Sequence, residues 1–259
     1  PINLFAEGFQ IDPTYNEVGS VNISSIRNID VSDDNSIIVN GERGRPGTSV
    51  ASYLRYIDEE GKRKWDVNLG DLRPNPDPIS IWYVIRGGVW AGGNNEYKVA
   101  FDTNLARYAV TFDEKGNFRG DWGDFGFSYI GGRKENNNWV GNSPFDAKFI
   151  TFLEDGSFLS LRRRGGQRDS QWGYLRKHLS NGAIDGSFEP FDKYLENNRL
   201  EFGPEKLNAH ELKDGKIMYI TELSKRIFLC SAEGDEIKEF GNDGVWKAPE
   251  GSRFYVHNY

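Results

Sequence analysis

Apolar residues in this chain fall in short, partly alternating runs, each ending at a turn signal. The pattern is that of half-buried β-strands. The runs Ser36-Ile37-Ile38-Val39, Ser157-Phe158-Leu159-Ser160-Leu161 and Lys216-Ile217-Met218-Tyr219-Ile220 read as strands. So do Ala51–Tyr56, Arg107–Phe112, Gln171–Arg176 and Arg226–Cys230. No stretch keeps a helical period over three turns, although Asp192–Arg199 could form one short helix. A polar-glycine turn recurs at Gly8, Gly61, Gly116, Gly182 and Gly234, at intervals of 53, 55, 66 and 52 residues. Such pairs suit hairpins because the turn needs a residue at positive φ. A second turn precedes each of the last four, at Asp34-Asn35, Gly87-Gly88, Asp155-Gly156 and Asp214-Gly215. Each unit therefore predicts a four-stranded antiparallel meander.

Four units occupy approximately residues 21–70, 79–126, 146–191 and 206–241. The segments 1–19 and 246–259 would share a fifth. Joining the termini in one blade hides strand edges that would otherwise invite aggregation. The expected fold is thus all-β: a β-propeller of about five four-stranded blades in one domain over residues 1–259. An open solenoid or sandwich is the alternative.

At these residues the chain resembles the delta-60 repeat family of β-propeller-like bacterial and phage proteins. The resemblance is carried by Asp214-Gly215-Lys216-Ile217 leading to Glu239-Phe240-Gly241-Asn242-Asp243-Gly244, and by Leu54-Arg55-Tyr56 leading to Asn68-Leu69-Gly70. The opening Phe9–Tyr15 looks like the end of another copy. The copies are degenerate: Gly87-Gly88 replaces Asp-Gly, and the third unit ends in Phe188-Glu189-Pro190-Phe191. The likeness implies fold more than activity, and a phage or bacterial setting.

Composition narrows the function. Aromatics reach 14% with 30 glycines, favouring strands and turns. The net charge of −7 gives no general attraction to nucleic acid. No apolar run approaches the roughly 20 residues of a membrane-spanning helix. Cys230 is the single cysteine, which excludes an intramolecular disulfide and fits a reducing compartment. No secretory signal opens the chain, so synthesis in the cytoplasm is expected.

Candidate chemistry is sparse. His178, His210 and His257 lie in different units without metal-site spacing, and structural roles are expected for them and for Cys230. Asp30, Asp33, Asp34, Asp155, Asp185 and Asp214 could supply a glycosidase pair. Most of them sit where aspartate simply bonds its own turn. Two loops stand out. Gly131–Asn142 carries Arg133, Lys134, Asn137 and Trp139, the features of a recognition insertion. Arg162–Arg168 carries Arg163 and Arg164, which could grip phosphate or carboxylate.

These readings predict a non-enzymatic propeller without cofactor or metal. It would serve as a recognition or assembly module, a virion tail or fibre component. Its partners would be virion or scaffold proteins, or a cell-surface glycan or receptor. A glycosidase-like propeller and a cytoplasmic protein-binding scaffold are the alternatives.

Overall fold

In the computed structural model, residues 26–32, 34–43, 51–72, 83–84, 87–92, 96–103, 107–131, 133–135, 138–140, 147–163, 173–188, 207–221 and 225–249 are described. The first sheet is a meander of β1 (Ile26–Val31), β2 (Ile37–Arg43), β3 (Ala51–Ile57) and β4 (Arg63–Asn68). The second contains β5 (Tyr83–Val84), β6 (Val89–Gly92), β7 (Glu96–Thr103), β8 (Arg107–Phe112) and β9 (Phe127–Gly131). Both β5 and β6 pair with β7. A hairpin of β10 (Arg133–Glu135) and β11 (Asn138–Val140) follows. The next sheet has three strands, β12 (Ala147–Phe152), β13 (Phe158–Arg163) and β14 (Gly173–His178). The last has four, β15 (Leu207–Glu211), β16 (Ile217–Thr221), β17 (Arg226–Cys230) and β18 (Val245–Lys247). Where registers are resolved, every pairing is antiparallel. The all-β expectation therefore holds, and the first and last sheets are four-stranded meanders; the sheet of β5–β9 has five strands with β6 off the meander path, that of β12–β14 has three, and no closed sheet forms among the described residues. No helix among them is long and apolar enough to cross a membrane.

Contacts divide the chain into two compact units, Pro1–Asn104 with Ala109–Phe127, and Leu105–Tyr108 with Ser128–Tyr259.

The hairpins share one geometry. In the turn at 58–62, the Asp58 N–H donates to Lys62 O at 2.9 Å and the Gly61 N–H to Asp58 O at 2.9 Å. The same two bonds recur in the turns at 32–36, 113–117, 153–157, 179–183, 212–216 and 231–235. This is a type I turn closed by a left-handed residue. That residue is glycine in each turn but the first, where Asn35 takes it at φ 63°. Asparagine tolerates this region better than other side chains, which is why an Asp-Asn pair can stand among polar-glycine turns.

Two expectations are corrected here. Gly87-Gly88 does not turn between two strands of its sheet; it precedes β6, and the β6–β7 connection lies at 93–95, outside the described residues. The glycine serves close approach instead, since a Cβ on Gly87 would fall 2.2 Å from Ala100 O. The final strand of the second and fourth units also begins later than the unit boundaries at 126 and 241. After the hairpin at 113–117 only an isolated Phe112–Phe118 bridge forms before β9, and Cys230–Glu236 is its counterpart before β18. Because β18 completes the fourth sheet, Trp246 and Lys247 belong to that unit.

Within the first unit, β1 docks through its polar side chains. The Ala91 N–H donates to Asp30 Oδ2 at 2.8 Å, and Asn28 Nδ2 donates to Gly87 O. Tyr56 stacks on Trp65 with ring centroids 5.6 Å apart, and Trp65 meets Tyr97 edge-on at 5.4 Å. The Trp65 indole N–H donates to Glu114 O in the turn of the next sheet, at 2.9 Å. Lys98 is fully buried, with its ammonium 4.6 Å from the Trp90 ring centroid and 3.3 Å from Glu96. These contacts offset the cost of burying its charge.

In the second unit Leu159, Leu161, Leu175, Ile217, Tyr219, Phe228 and Cys230 form one core. Cys230 is buried on β17, and burial pushes its thiol up to about 11, so it stays protonated and packs as an apolar side chain. Residues 158–161 are all buried, so both faces of β13 are covered and no clean alternation shows in that run.

His178 is a polar node in this core, stacked on Phe158 at 4.2 Å. Ser128 Oγ donates to Gly182 O at 2.7 Å and lies 3.1 Å from His178 Nδ1. With the hydroxyl proton committed to the carbonyl, Nδ1 must carry the imidazole proton and donate it to Ser128. Nε2 is then the acceptor for Ser160 Oγ at 3.0 Å. The ring is neutral, and burial, aided by Arg176, pushes its pKa down to about 3 from 6.5. The unfolded chain therefore binds the extra proton between these values, and stability falls as pH falls through that window. Lowering the pH from 6.5 to 5 should remove about 1.5 kcal/mol of unfolding free energy. Urea unfolding of the wild type should show this loss, and His178→Gln should lie flatter over the same interval.

Candidate functional site

The ending of the last sheet has a structural double. In Trp122-Gly123-Asp124-Phe125-Gly126, φ is 58° at Gly123, 53° at Phe125 and 88° at Gly126. In Phe240-Gly241-Asn242-Asp243-Gly244, φ is 64° at Gly241, 52° at Asp243 and 80° at Gly244. The Asp124 N–H donates to Phe127 O at 2.8 Å, and the Asn242 N–H to Val245 O at 2.9 Å. The two turns are the same device in two copies. The first copy was not among the sequence expectations, because tryptophan stands where the repeat pattern has phenylalanine. The spacing of its glycines was the available signal.

The copies differ in what they present. At the packed position of the first, the Phe118 ring lies against Gly126, where a Cβ would fall 2.1 Å from Cζ. At the same position of the second stands Glu236, whose Oε1 lies against Gly244, 2.2 Å from where a Cβ would sit. That oxygen is buried and has no hydrogen-bond donor among the described residues. Enclosing a carboxylate oxygen in this way is costly. At the tip, the first copy holds Phe125, 83% exposed. The second holds Asp243, which lines a cavity.

This cavity measures about 600 Å³. Its walls are Arg226 at the start of β17, the Gly241–Asp243 turn, and Val245, Trp246 and Lys247 of β18. Val245 packs against the core below. Trp246 is 38% exposed, one of few large apolar side chains in the described residues so open to solvent. The Ala248 N–H donates to Lys225 O at 2.9 Å and extends the pairing past β18, fixing this wall. An aromatic face, an amide, a carboxylate and two cations thus converge on one concavity.

The expected binding residues lie elsewhere. Arg133, Lys134 and Trp139 come together on the β10–β11 hairpin, with Lys134 opposite Trp139 and Arg133 opposite Val140. This part of the supposed loop is strand. Arg163 ends β13 opposite Gly173, on another sheet. Asn137 and Arg164 lie outside the described residues.

The expected aspartates do not converge. The Ser36, Ser157, Ser187 and Lys216 N–H groups donate to Asp34, Asp155, Asp185 and Asp214, each two residues earlier. These bonds hold turns; side-chain hydrogen bonds from Ser32 and Ser36 to Asp34, from Ser187 to Asp185 and from Lys216 to Asp214, joined by these N–H groups, lower the three carboxyl pKa values. Asp30 serves the docking of β1, and burial raises its pKa. Asp33 and His257 lie outside the described residues, and His210 sits on β15. No three histidine, cysteine or acidic side chains among the described residues are grouped to hold a metal ion.

No family model matches the chain, and no curated protein matches it. Solved structures with a similar course of strands include a catalytically inactive virginiamycin B lyase from Staphylococcus aureus with quinupristin. It shows 12% identity and a TM-score of 0.48, and the match covers 89% of this chain and 59% of the lyase. The chain thus spans about three fifths of that protein. The xyloglucan PUL protein GH43B of Bacteroides ovatus matches at 16% identity and TM-score 0.38, over 89% of this chain and 45% of that one. An α-L-arabinofuranosidase from Clostridium thermocellum matches at 12% and 0.36, over 85% and 66%. The expectation that the chain is not an enzyme is corrected: it rested on repeat architecture, which does not decide activity, and the similar solved structures include a lyase and an arabinofuranosidase. Nothing in these likenesses supports the expected virion role.

Gly244→Ala tests the turn. The left-handed backbone alone should cost about 1–2 kcal/mol, and the new methyl must displace Glu236. A lower denaturation midpoint is expected for Gly244→Ala, with part of the loss restored when Glu236→Ala is added.

Proposed function

We propose that this chain is a carbohydrate-active β-propeller that holds a glycan in the cavity beside β18. The observation that carries this reading is the exposed Trp246 in a concavity with Arg226, Asn242 and Asp243. A sugar ring offers an apolar C–H face and a rim of hydroxyls. An indole accepts the first, and amide, carboxylate and guanidinium groups hydrogen-bond the second. A few placed polar groups around an aromatic wall is the usual composition of a small-ligand site.

Glycoside cleavage requires two carboxyl groups flanking the bond. Asp243 lines the cavity and Glu236 stands behind the same turn, so these are the two residues to test for catalysis. The full architecture proposed is a ring of five blades of the delta-60 type, the N-terminal segment and the residues after Lys247 sharing the fifth. The recurrent turn and the doubled Gly-x-x-Gly ending support a repeat of this kind.

Titration calorimetry against a panel of plant and bacterial polysaccharides, paired with assays of released reducing ends, tests the proposal. Trp246→Ala should weaken binding at least tenfold, about 1.4 kcal/mol. Asp243→Asn should abolish any sugar release. Failure of the wild type to bind any glycan would remove the proposal.

A further inference from the structure

Resting on the carbohydrate reading, we infer that Phe125 is a second glycan contact, a platform for the rings of a neutral polysaccharide built of equatorially substituted pyranoses. Phe125 stands at the tip of the Trp122–Gly126 turn and is 83% exposed. Its φ is 53°, a region that a bulky side chain enters only at a cost. The matching tip of the other copy has the same backbone, with Asp243 at φ 52°. The turn therefore imposes positive φ at this place, and asparagine, aspartate or glycine would meet it with less strain. A ring so exposed returns little packing to the turn, whose rigidity comes from other groups. The Gly126 N–H donates to Trp122 O at 2.7 Å, Trp122 is buried, and the Phe118 ring lies against Gly126. Backbone strain and apolar exposure borne together by one residue are an outlier that a binding role explains.

The surroundings of the ring select the partner. In the stretch 113–126, Phe125 is the one large apolar side chain exposed to solvent. A stable protein interface needs about 800 Å² from each partner around an apolar centre. A single aromatic face is enough for a sugar ring. A pyranose with equatorial substituents turns its axial C–H bonds to either face, and these meet the electron-rich face of the phenyl ring. The Arg119–Asp121 ion pair, closed by two bonds of 2.8 Å, belongs to the same ending. Its charges answer each other, and it sets polar atoms at the surface for sugar hydroxyls. The same stretch holds four acidic residues, Asp113, Glu114, Asp121 and Asp124, against Lys115 and Arg119. Uronic and sulfated chains, like nucleic acids, meet net repulsion there, which leaves the neutral class.

The test is affinity electrophoresis of the full chain in gels cast with a soluble β-glucan, a xylan, polygalacturonate or no glycan. The β-glucan or the xylan should retard the wild type, and polygalacturonate should do so at least threefold more weakly. Phe125→Asn, which keeps the charge and suits the backbone, should weaken the retardation at least threefold while raising the denaturation midpoint. Phe125→Tyr should keep it. Trp246→Ala should leave a residual retardation that adding Phe125→Asn removes. A lowered midpoint for Phe125→Asn would show that the ring serves packing and overturn the inference. So would equal or stronger retardation by polygalacturonate. Retardation unchanged by Phe125→Asn and lost in Trp246→Ala would overturn it and leave the carbohydrate reading of the cavity standing. Self-association in the ultracentrifuge, abolished by Phe125→Asn with retardation kept, would overturn it in favour of a second copy as partner. Absence of retardation by every glycan would overturn both.

Discussion

Each hairpin with the shared geometry closes on a single residue held in the left-handed region, and the sheets depend on that closure. The carbonyl and N–H four residues apart pair only if the chain reverses sharply, and an ordinary side chain there costs about 1–2 kcal/mol. Glycine removes that cost at Gly61, Gly116, Gly156, Gly182, Gly215 and Gly234, and Asn35 lessens it. The turn then becomes an attachment point. Trp65 Nε1 donates to Glu114 O, Ser128 Oγ to Gly182 O and Lys177 Nζ to Ala232 O, each linking one sheet to a turn of the next. One backbone geometry thus does two jobs, setting the register within a sheet and offering a carbonyl to its neighbour.

The donors to those carbonyls are an indole, a hydroxyl and an ammonium, and this explains a limit on reading the sequence. The turns were legible because only a few residue types fit positive φ, so the constraint is written locally. The inter-sheet contacts were not, because any N–H or O–H of suitable length will serve. His178 shows the same thing in the core. Its place among the repeat units could be read, but its tautomer follows from Ser128 and Ser160, 50 and 18 residues away in the chain. Gly87-Gly88 misled for the opposite reason. A glycine pair signals a turn and a close backbone approach equally well, and only the neighbouring Ala100 decides between them.

The candidate site was partly visible. Phe240–Gly244 was recognised as a repeat ending, yet its chemistry lies in how it departs from its double. Phe118 fills its place with a ring tilted against Phe127 at 5.3 Å, an arrangement that serves packing. Glu236 fills the equivalent place with a carboxylate oxygen lacking a donor, and Asp243 replaces an exposed phenylalanine at the tip. Attention drawn to loops by length and charge, as at Gly131–Asn142, passes over such changes. They occupy short turns of constant length, and only superposition of two turns reveals that the residues correspond.

A repeat fold offers the same turn several times, and stability requires only that most copies pack well. The copy that carries Glu236 loses the aromatic contact and encloses a polar atom. Each of these opposes folding when considered alone. The underlying sheet can bear them, since Tyr219, Phe228 and Cys230 bury its other strands against the shared core. Unfavourable groups gathered at one turn, above strands that need no help from it, mark a position where this chain gives up packing, as the proposed binding role requires.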